Sequence, residues 1–157
     1  MRGIDDLSLR PMCRADVPAV AAMAAEFALY LRELGDTTEF RLNAAALERD
    51  GFGPHPAFEG LIAEVNGEPQ GYLLYHHGYD SDAASRVVFV ADLFVCAHTR
   101  GLGVGKALMQ QAAAVASASQ ATQLVWTVDV RNTEARRFYE RLGGQVVDTL
   151  HLMSLEV

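Results

Sequence analysis

Seven residues in the middle of the chain, Arg100-Gly101-Leu102-Gly103-Val104-Gly105-Lys106, set three glycines between two cations. An apolar, β-branched run precedes them and an alanine-rich stretch follows, so the turn delivers the chain from a strand into a helix start. The first N–H groups of a helix have no acceptor inside it, and the positive end of its dipole lies there. Glycines remove the Cβ atoms that would hold a diphosphate away from those N–H groups, and Arg100 and Lys106 add positive charge at the edge. The chemistry this spacing offers is anion binding. Two familiar phosphate motifs fail on spacing: GxGxxG needs a third glycine where Lys106 stands, and GxxxxGK[ST] needs a longer interval and a hydroxyl where Ala107 stands.

The elements around this turn follow from periodicity. The chain has 157 residues, enough for one domain over residues 1–157 with a single core. Residues 7–12 read as a first strand. Asp16 stands where a helix cap is needed, and Val20, Met23, Phe27, Tyr30, Leu31 and Leu34 recur at helical spacing up to Gly35. A short helix follows Asn43. Residues 60–65 and 70–79 read as strands joined at Asn66-Gly67, a strong hairpin signal. Residues 86–95 form a third long strand, apolar except for Asp92. After the turn come a helix over 104–119, a strand over 123–130, a helix over 133–142 and an extended segment over 144–157. This order predicts an α/β (α+β) domain built on a mixed sheet with helices packed on it.

Composition narrows the partners. The formal net charge is −7, which argues against nucleic acid as a general partner. No run approaches the ~18 apolar residues of a membrane span, and the first residues carry no apolar leader, so a cytoplasmic protein is expected. Cys13 and Cys96 lie in no metal-ligand spacing and read as small buried or half-buried thiols, so no metal is expected.

The Arg-x-x-Gly-x-Gly pattern from Arg100 to Gly105 resembles the acyl-CoA motif of the GNAT superfamily of N-acetyltransferases. One strand later, Asn132, Ala135, Phe138-Tyr139 and Leu142-Gly143 are similar to that superfamily's second motif. Arg49-Asp50-Gly51-Phe52-Gly53-Pro54-His55-Pro56, Gly71-Tyr72, Tyr79-Asp80 and Asp92-Leu93-Phe94-Val95 resemble its diamine branch, the spermidine/spermine and thialysine acetyltransferases. The resemblance implies a mostly antiparallel central sheet of about six to seven strands with about four helices on both faces. It also implies a homodimer, acetyl-CoA as donor and a small-molecule primary amine as acceptor. Cofactor contacts are then expected from Phe94 and Val95, from every residue of the glycine turn, and from Asn132, Arg136 and Tyr139. That branch carries Glu-Asp before the turn, with the glutamate helping to deprotonate the amine; this chain has Ala91-Asp92.

An alkyl ammonium, with a pKa of about 10, must lose a proton before it attacks a thioester. Asp92, a carboxylate in an apolar strand beside the turn, stands either as that base or as a structural aspartate satisfied by backbone N–H groups. Glu26 and Asp80 are carboxylates able to hold the amine's charge, and each also reads as a solvated surface group. A backbone N–H near Phe94 or Val95 would face the thioester oxygen if the strand bulges there as in relatives. Tyr139 would protonate the leaving thiolate. His76 and His77, at a strand end, read as structural rather than as a replacement base, and Trp126 as a core or interface aromatic. Other acceptors stay open: a protein or peptide amine, or an antibiotic amine. So does a sensor that binds CoA without turnover.

Overall fold

The computed structural model describes residues 6–157, so the reading of the leader region falls partly outside it. The chain divides into two compact units, Met1–Thr127 and Val128–Val157. The first unit holds one sheet of five strands: β1 (Leu7–Pro11), β2 (Glu59–Val65), β3 (Glu68–Asp80), β4 (Ser85–Val95) and β5 (Ala121–Val125). They stand in the order β1-β2-β3-β4-β5. The first four pair antiparallel, and β5 joins β4 in parallel. The helices α1 (Val17–Glu33), α2 (Ala44–Gly51) and α3 (Val104–Ala118) belong to this unit, and α4 (Thr133–Arg141) to the second. No helix among the described residues is long and apolar enough to cross a membrane.

The helical stripe of α1 buries as its spacing predicts. Val20, Met23 and Ala24 are buried, and Val17, Val20 and Met23 join Leu47 of α2 and Ile62, Tyr72, Leu74 and Phe94 of the sheet in one cluster. Cys96 is buried in that cluster, whereas Cys13 is exposed, contrary to its reading as a covered thiol. On the opposite face, Val104 and Leu108 of α3 press onto Gly71 of β3. A Cβ there would lie 3.0 Å from the Phe94 carbonyl oxygen and 3.2 Å from a Leu108 methyl. Only a bare backbone lets the first turn of α3 sit this close to the sheet.

Three expectations needed correction. The sheet has five strands rather than six or seven, because residues 144–157 form none. A strand exists only through a ladder partner, and these residues have none and lie exposed from 145 onward. The β5 strand ends at Val125 because its ladder runs only along residues 86–89 of β4. Asp16 occupies the cap position of α1 but gives that helix no side-chain hydrogen bond. Its carboxylate instead receives both terminal nitrogens of Arg10, at 2.8 and 2.7 Å, and the Cys13 N–H at 2.8 Å. Arg10 reaches on to Glu64 of β2 at 2.7 Å, so the ion pair ties the start of α1 to two strands. A bidentate guanidinium outcompetes a helix N–H for one carboxylate.

Asp16 is 6% exposed, and the Arg10 hydrogen bonds hold it well below its ordinary value, at about 2. A carboxyl depressed on folding stabilises the protein above its unfolded pKa and loses that contribution as pH falls through the folded one. Asp16→Asn should therefore cost roughly 2 kcal/mol at pH 7. In urea denaturation the gap to the unaltered protein should close as pH falls from 4 through 2. A gap of the same size at pH 2 would assign the loss to packing.

Candidate active site

The glycine turn is built stepwise from the end of β4. Cys96 donates its N–H to the Gln70 carbonyl at 2.9 Å, and a 3-10 turn over Ala97–Thr99 follows. Buried Thr99 donates its hydroxyl back to the Cys96 carbonyl at 3.1 Å. Gly101 and Gly103 then take φ of +74° and +90°, in the left-handed region that side chains with a Cβ avoid. Gly103 is the cap residue of α3, and its carbonyl accepts the first helical bond, from Ala107 at 2.9 Å. No side chain caps this end, and no acidic residue stands in its first turn. A Cβ built at Gly101 or Gly103 would meet nothing within 4 Å. No side chain bonds the first N–H groups of α3, at Val104, Gly105 and Lys106, and Leu102 and Lys106 are exposed beside them. A diphosphate fits this arrangement on both charge and space.

Arg100, read as positive charge at the edge of the turn, has fixed partners of its own. Its Nε donates to the Val95 carbonyl at 2.9 Å, and its guanidinium lies 4.9 Å from the Tyr30 ring centre and 5.4 Å from that of Phe94. It braces the end of β4 against α1, with cation–π contacts of the order of 0.5–1 kcal/mol each at a surface site.

The exit of β4 has an unpaired edge. β3 pairs with β4 along its length, but β5 stops at Phe89. Cys96 directs its N–H at β3, so by the alternation of a pleated strand Val95 directs its N–H and carbonyl to the open edge. Phe94 directs its carbonyl toward β3, against Gly71. The strand does bulge, but earlier than expected: Leu74 pairs Asp92 while Tyr75 pairs Val90, leaving Ala91 as the extra residue. The ladder at Phe94 and Val95 is regular. The bulge answers a conflict in the side-chain pattern. Val88, Val90 and Phe94 are all buried on even positions, and the extra residue lets the first two face α3 and the last face α1.

Asp92 follows this bulge on the α1 face. It is half-buried, and the Tyr72 hydroxyl donates to its Oδ2 at 2.6 Å. Burial raises the carboxyl from its ordinary value to about 6, against the lowering influence of Tyr72 and of the Leu93 N–H. No lysine, arginine or histidine among the described residues pairs with it. Its partner is a neutral phenol, which burial and the adjacent carboxylate hold above its ordinary pKa.

The other carboxylates separate. Glu26 is exposed on α1 and accepts the Ala97 N–H at 3.3 Å, near the turn. Asp80 accepts the N–H groups of Asp82 and Ala83 at 2.9 and 3.2 Å and so closes the β3–β4 turn. It pairs with Ser85, seven residues along β4 from Asp92, or roughly 20 Å at strand rise. The structure does not bring Asp80 and Asp92 together. His76 stacks on Phe89 at 5.0 Å and His77 meets Glu59 at 3.3 Å, both toward that distant end. Two residues at the site carried no role in the sequence reading, Tyr72 and Tyr30. Tyr72 stood only as part of a motif, and its contact with Asp92 depends on the register of the bulge.

In the second unit, Asn132 is 8% exposed and caps α4, its Oδ1 accepting the Ala135 N–H at 3.1 Å. Arg136 reaches Glu140 at 2.9 Å, one turn on. Tyr139 is half-buried, its ring 5.1 Å from that of Phe138 and inclined to it at 61°.

Comparison with known proteins agrees with this geometry. The model of the Acetyltransferase (GNAT) family matches residues 21–144. The thialysine N-epsilon-acetyltransferase of Bos taurus is 33% identical over 127 residues, covering 73% of this chain and 74% of that protein. The spermidine/spermine N(1)-acetyltransferase-like protein 1 of Homo sapiens is 30% identical over 148 residues, which is 90% of this chain; the chain spans only 21% of that protein's length. Among solved structures, an integron cassette protein from the mobile metagenome of V. cholerae superposes with a TM-score of 0.81 at 20% identity, covering 96% of this chain and 93% of that one. With an uncapped helix start behind a glycine turn and a family match over most of its length, the chain belongs to the GNAT family of N-acetyltransferases.

Proposed function

We propose that this N-acetyltransferase takes acetyl-CoA as donor and passes the acetyl group directly to the primary amine of a small molecule, such as a polyamine, a diamine or a lysine-like compound. The observation that carries the donor reading is the first turn of α3, whose N–H groups no side chain caps and which follows two glycines with open space around them. On this reading Val104, Gly105 and Lys106 hold the diphosphate through their N–H groups, with the Lys106 side chain beside them. The residues of the open β4 edge pair with the extended arm of the cofactor, as an added strand pairs with a free edge. The bound thioester supplies the acyl group. The Val95 N–H, directed to that edge, would donate to the thioester oxygen.

The acceptor reading rests on Asp92 and on its lack of a cationic partner. A carboxylate at about 6 is ionised at neutral pH, yet it is a stronger base than an ordinary aspartate by about two units. Facing an ammonium near 10, it still leaves a gap of about four units, or roughly 5 kcal/mol. Removing water from the ammonium narrows that gap, because burial disfavours charge. Glu26, at the same end of β4, adds negative charge for a second amino group. Tyr139 serves as the acid for the departing thiolate, and Asn132 and Arg136 stand with it on α4 as cofactor contacts. The names of the relatives favour a diamine or thialysine-like acceptor, and the family resemblance favours a homodimer.

Release of free thiol across a panel of amines tests the reading as a whole. Thiol release should depend on acetyl-CoA and be highest with polyamines, diamines or thialysine. Release with peptide or aminoglycoside amines alone would move the acceptor to those classes. Saturable binding with no amine-dependent release would leave a sensor. Gly103→Val forces a β-branched residue into the left-handed region and fills the open face. It should weaken acetyl-CoA by about tenfold or more in calorimetry; an unaltered affinity in the folded variant would refute the diphosphate site. Tyr139→Phe should lower kcat by about tenfold to a thousandfold with little change in acetyl-CoA affinity. Unchanged turnover would remove Tyr139 from the reaction.

A further inference from the structure

We propose that Tyr72 is a positioning residue for Asp92: its buried hydroxyl, donating across the β3–β4 ladder, fixes the carboxylate and sets the pH above which the site can take up a proton. The catalytic consequence rests on the reading of Asp92 as base; the positioning itself does not.

The geometry is cross-strand and diagonal. Tyr72 pairs with Phe94 and Leu74 pairs with Asp92, so the phenol spans from one pair to the next on the same face. Its ring is fully buried and packs 6.1 Å from Phe94, inside the cluster built by Val20, Met23 and Ile62. A phenylalanine would satisfy that packing. The hydroxyl adds one thing, the 2.6 Å bond to Oδ2 of Asp92. Held by a fully buried ring, the donor oxygen is fixed in place, and the carboxylate takes its orientation from it. Burial and the neighbouring negative charge raise the phenol, so the proton stays on Tyr72 and Asp92 only accepts.

Few other groups act on Asp92. From β3 the facing titratable group is Tyr72. From α1 it is Glu26, whose carboxylate is engaged by the Ala97 N–H, and Tyr30, which lies under the Arg100 guanidinium. From the glycine turn it is Arg100, which is bonded to the Val95 carbonyl. On the opposite face α3 brings only Lys106. Neither Glu26 nor Arg100 bonds to Asp92, so the phenol is the strongest side-chain influence that favours its charged form.

Removing a donor to a charged acceptor raises the acceptor's pKa by about one unit. In full-length protein labelled with 13C at aspartate carboxyls, the Asp92 signal is identified by its loss in Asp92→Asn. In Tyr72→Phe its titration midpoint should move up by about one pH unit, and the acid limb of kcat/KM should move with it. Replacing all tyrosines by 3-fluorotyrosine keeps every ring and makes the phenol a stronger donor, so the same midpoint should move down even if Tyr72→Phe folds poorly. Ile62→Val, a core lesion without the hydroxyl contact, should leave the midpoint in place. An Asp92 midpoint unmoved by both tyrosine changes overturns the proposal, as does an equal shift in Ile62→Val. If the midpoint moves but the acid limb stays, Tyr72 positions Asp92 as proposed and Asp92 is not the base.

Discussion

A single extra residue in β4 decides which side of the sheet each later side chain faces. Without Ala91 as a bulge, Asp92 and Phe94 would share a face with Val88 and Val90, under α3 and away from α1. With it, two valines complete the packing beneath α3 while Phe94 completes the cluster beneath α1, and Asp92 comes within reach of Tyr72. A strand that must supply core to both helical layers and a carboxylate to one of them cannot do so with strict alternation. The site thus depends on a backbone irregularity, and the ladder on either side of it holds that irregularity in place.

The same strand organises charge. Its end feeds the glycine turn, whose left-handed residues aim the unpaired amides of α3 outward. Gly71 lets that helix sit directly on the sheet, so the positive end of its dipole is fixed rather than frayed. On the other face of the sheet stand Asp92 and, near the turn, Glu26. On the proposed reading, an end with uncapped N–H groups and a face with two carboxylates suit a reaction that brings an anionic cofactor to a cationic amine. Each half uses ordinary local physics; the sheet supplies their spacing.

Local signals carried most of the fold. Helical stripes placed α1 and α3 to within a residue or two, the Asn66-Gly67 dipeptide placed the β2–β3 turn, and the glycine run placed the turn into α3. What failed depended on partners distant in sequence. Residues 144–157 have the apolar content of a strand but no ladder to join. Asp16 looked like a cap until Arg10, across the first turn, claimed its carboxylate. Arg100 read only as positive charge at the edge of the turn, because nothing in its neighbourhood of sequence announced Tyr30, seventy residues earlier. The Tyr72–Asp92 bond spans twenty residues and exists only in the bulged register, which no periodicity encodes.

The substitution at position 91 is then less of a loss than the sequence alone implies. The bulge leaves Ala91 exposed, and a carboxylate in water keeps its ordinary, weakly basic character. Asp92, one residue on, lies on the covered face, where burial makes it the stronger base while the Tyr72 hydrogen bond favours its charged form. Two opposed influences are needed for that balance. Burial without the hydrogen bond would raise the carboxyl further and leave less of it ionised at neutral pH, and the hydrogen bond without burial would make it a weaker base than an ordinary aspartate. A chain that has Ala91-Asp92 in place of Glu-Asp retains, on the proposed reading, the carboxylate whose surroundings do the tuning and gives up the one whose surroundings do not.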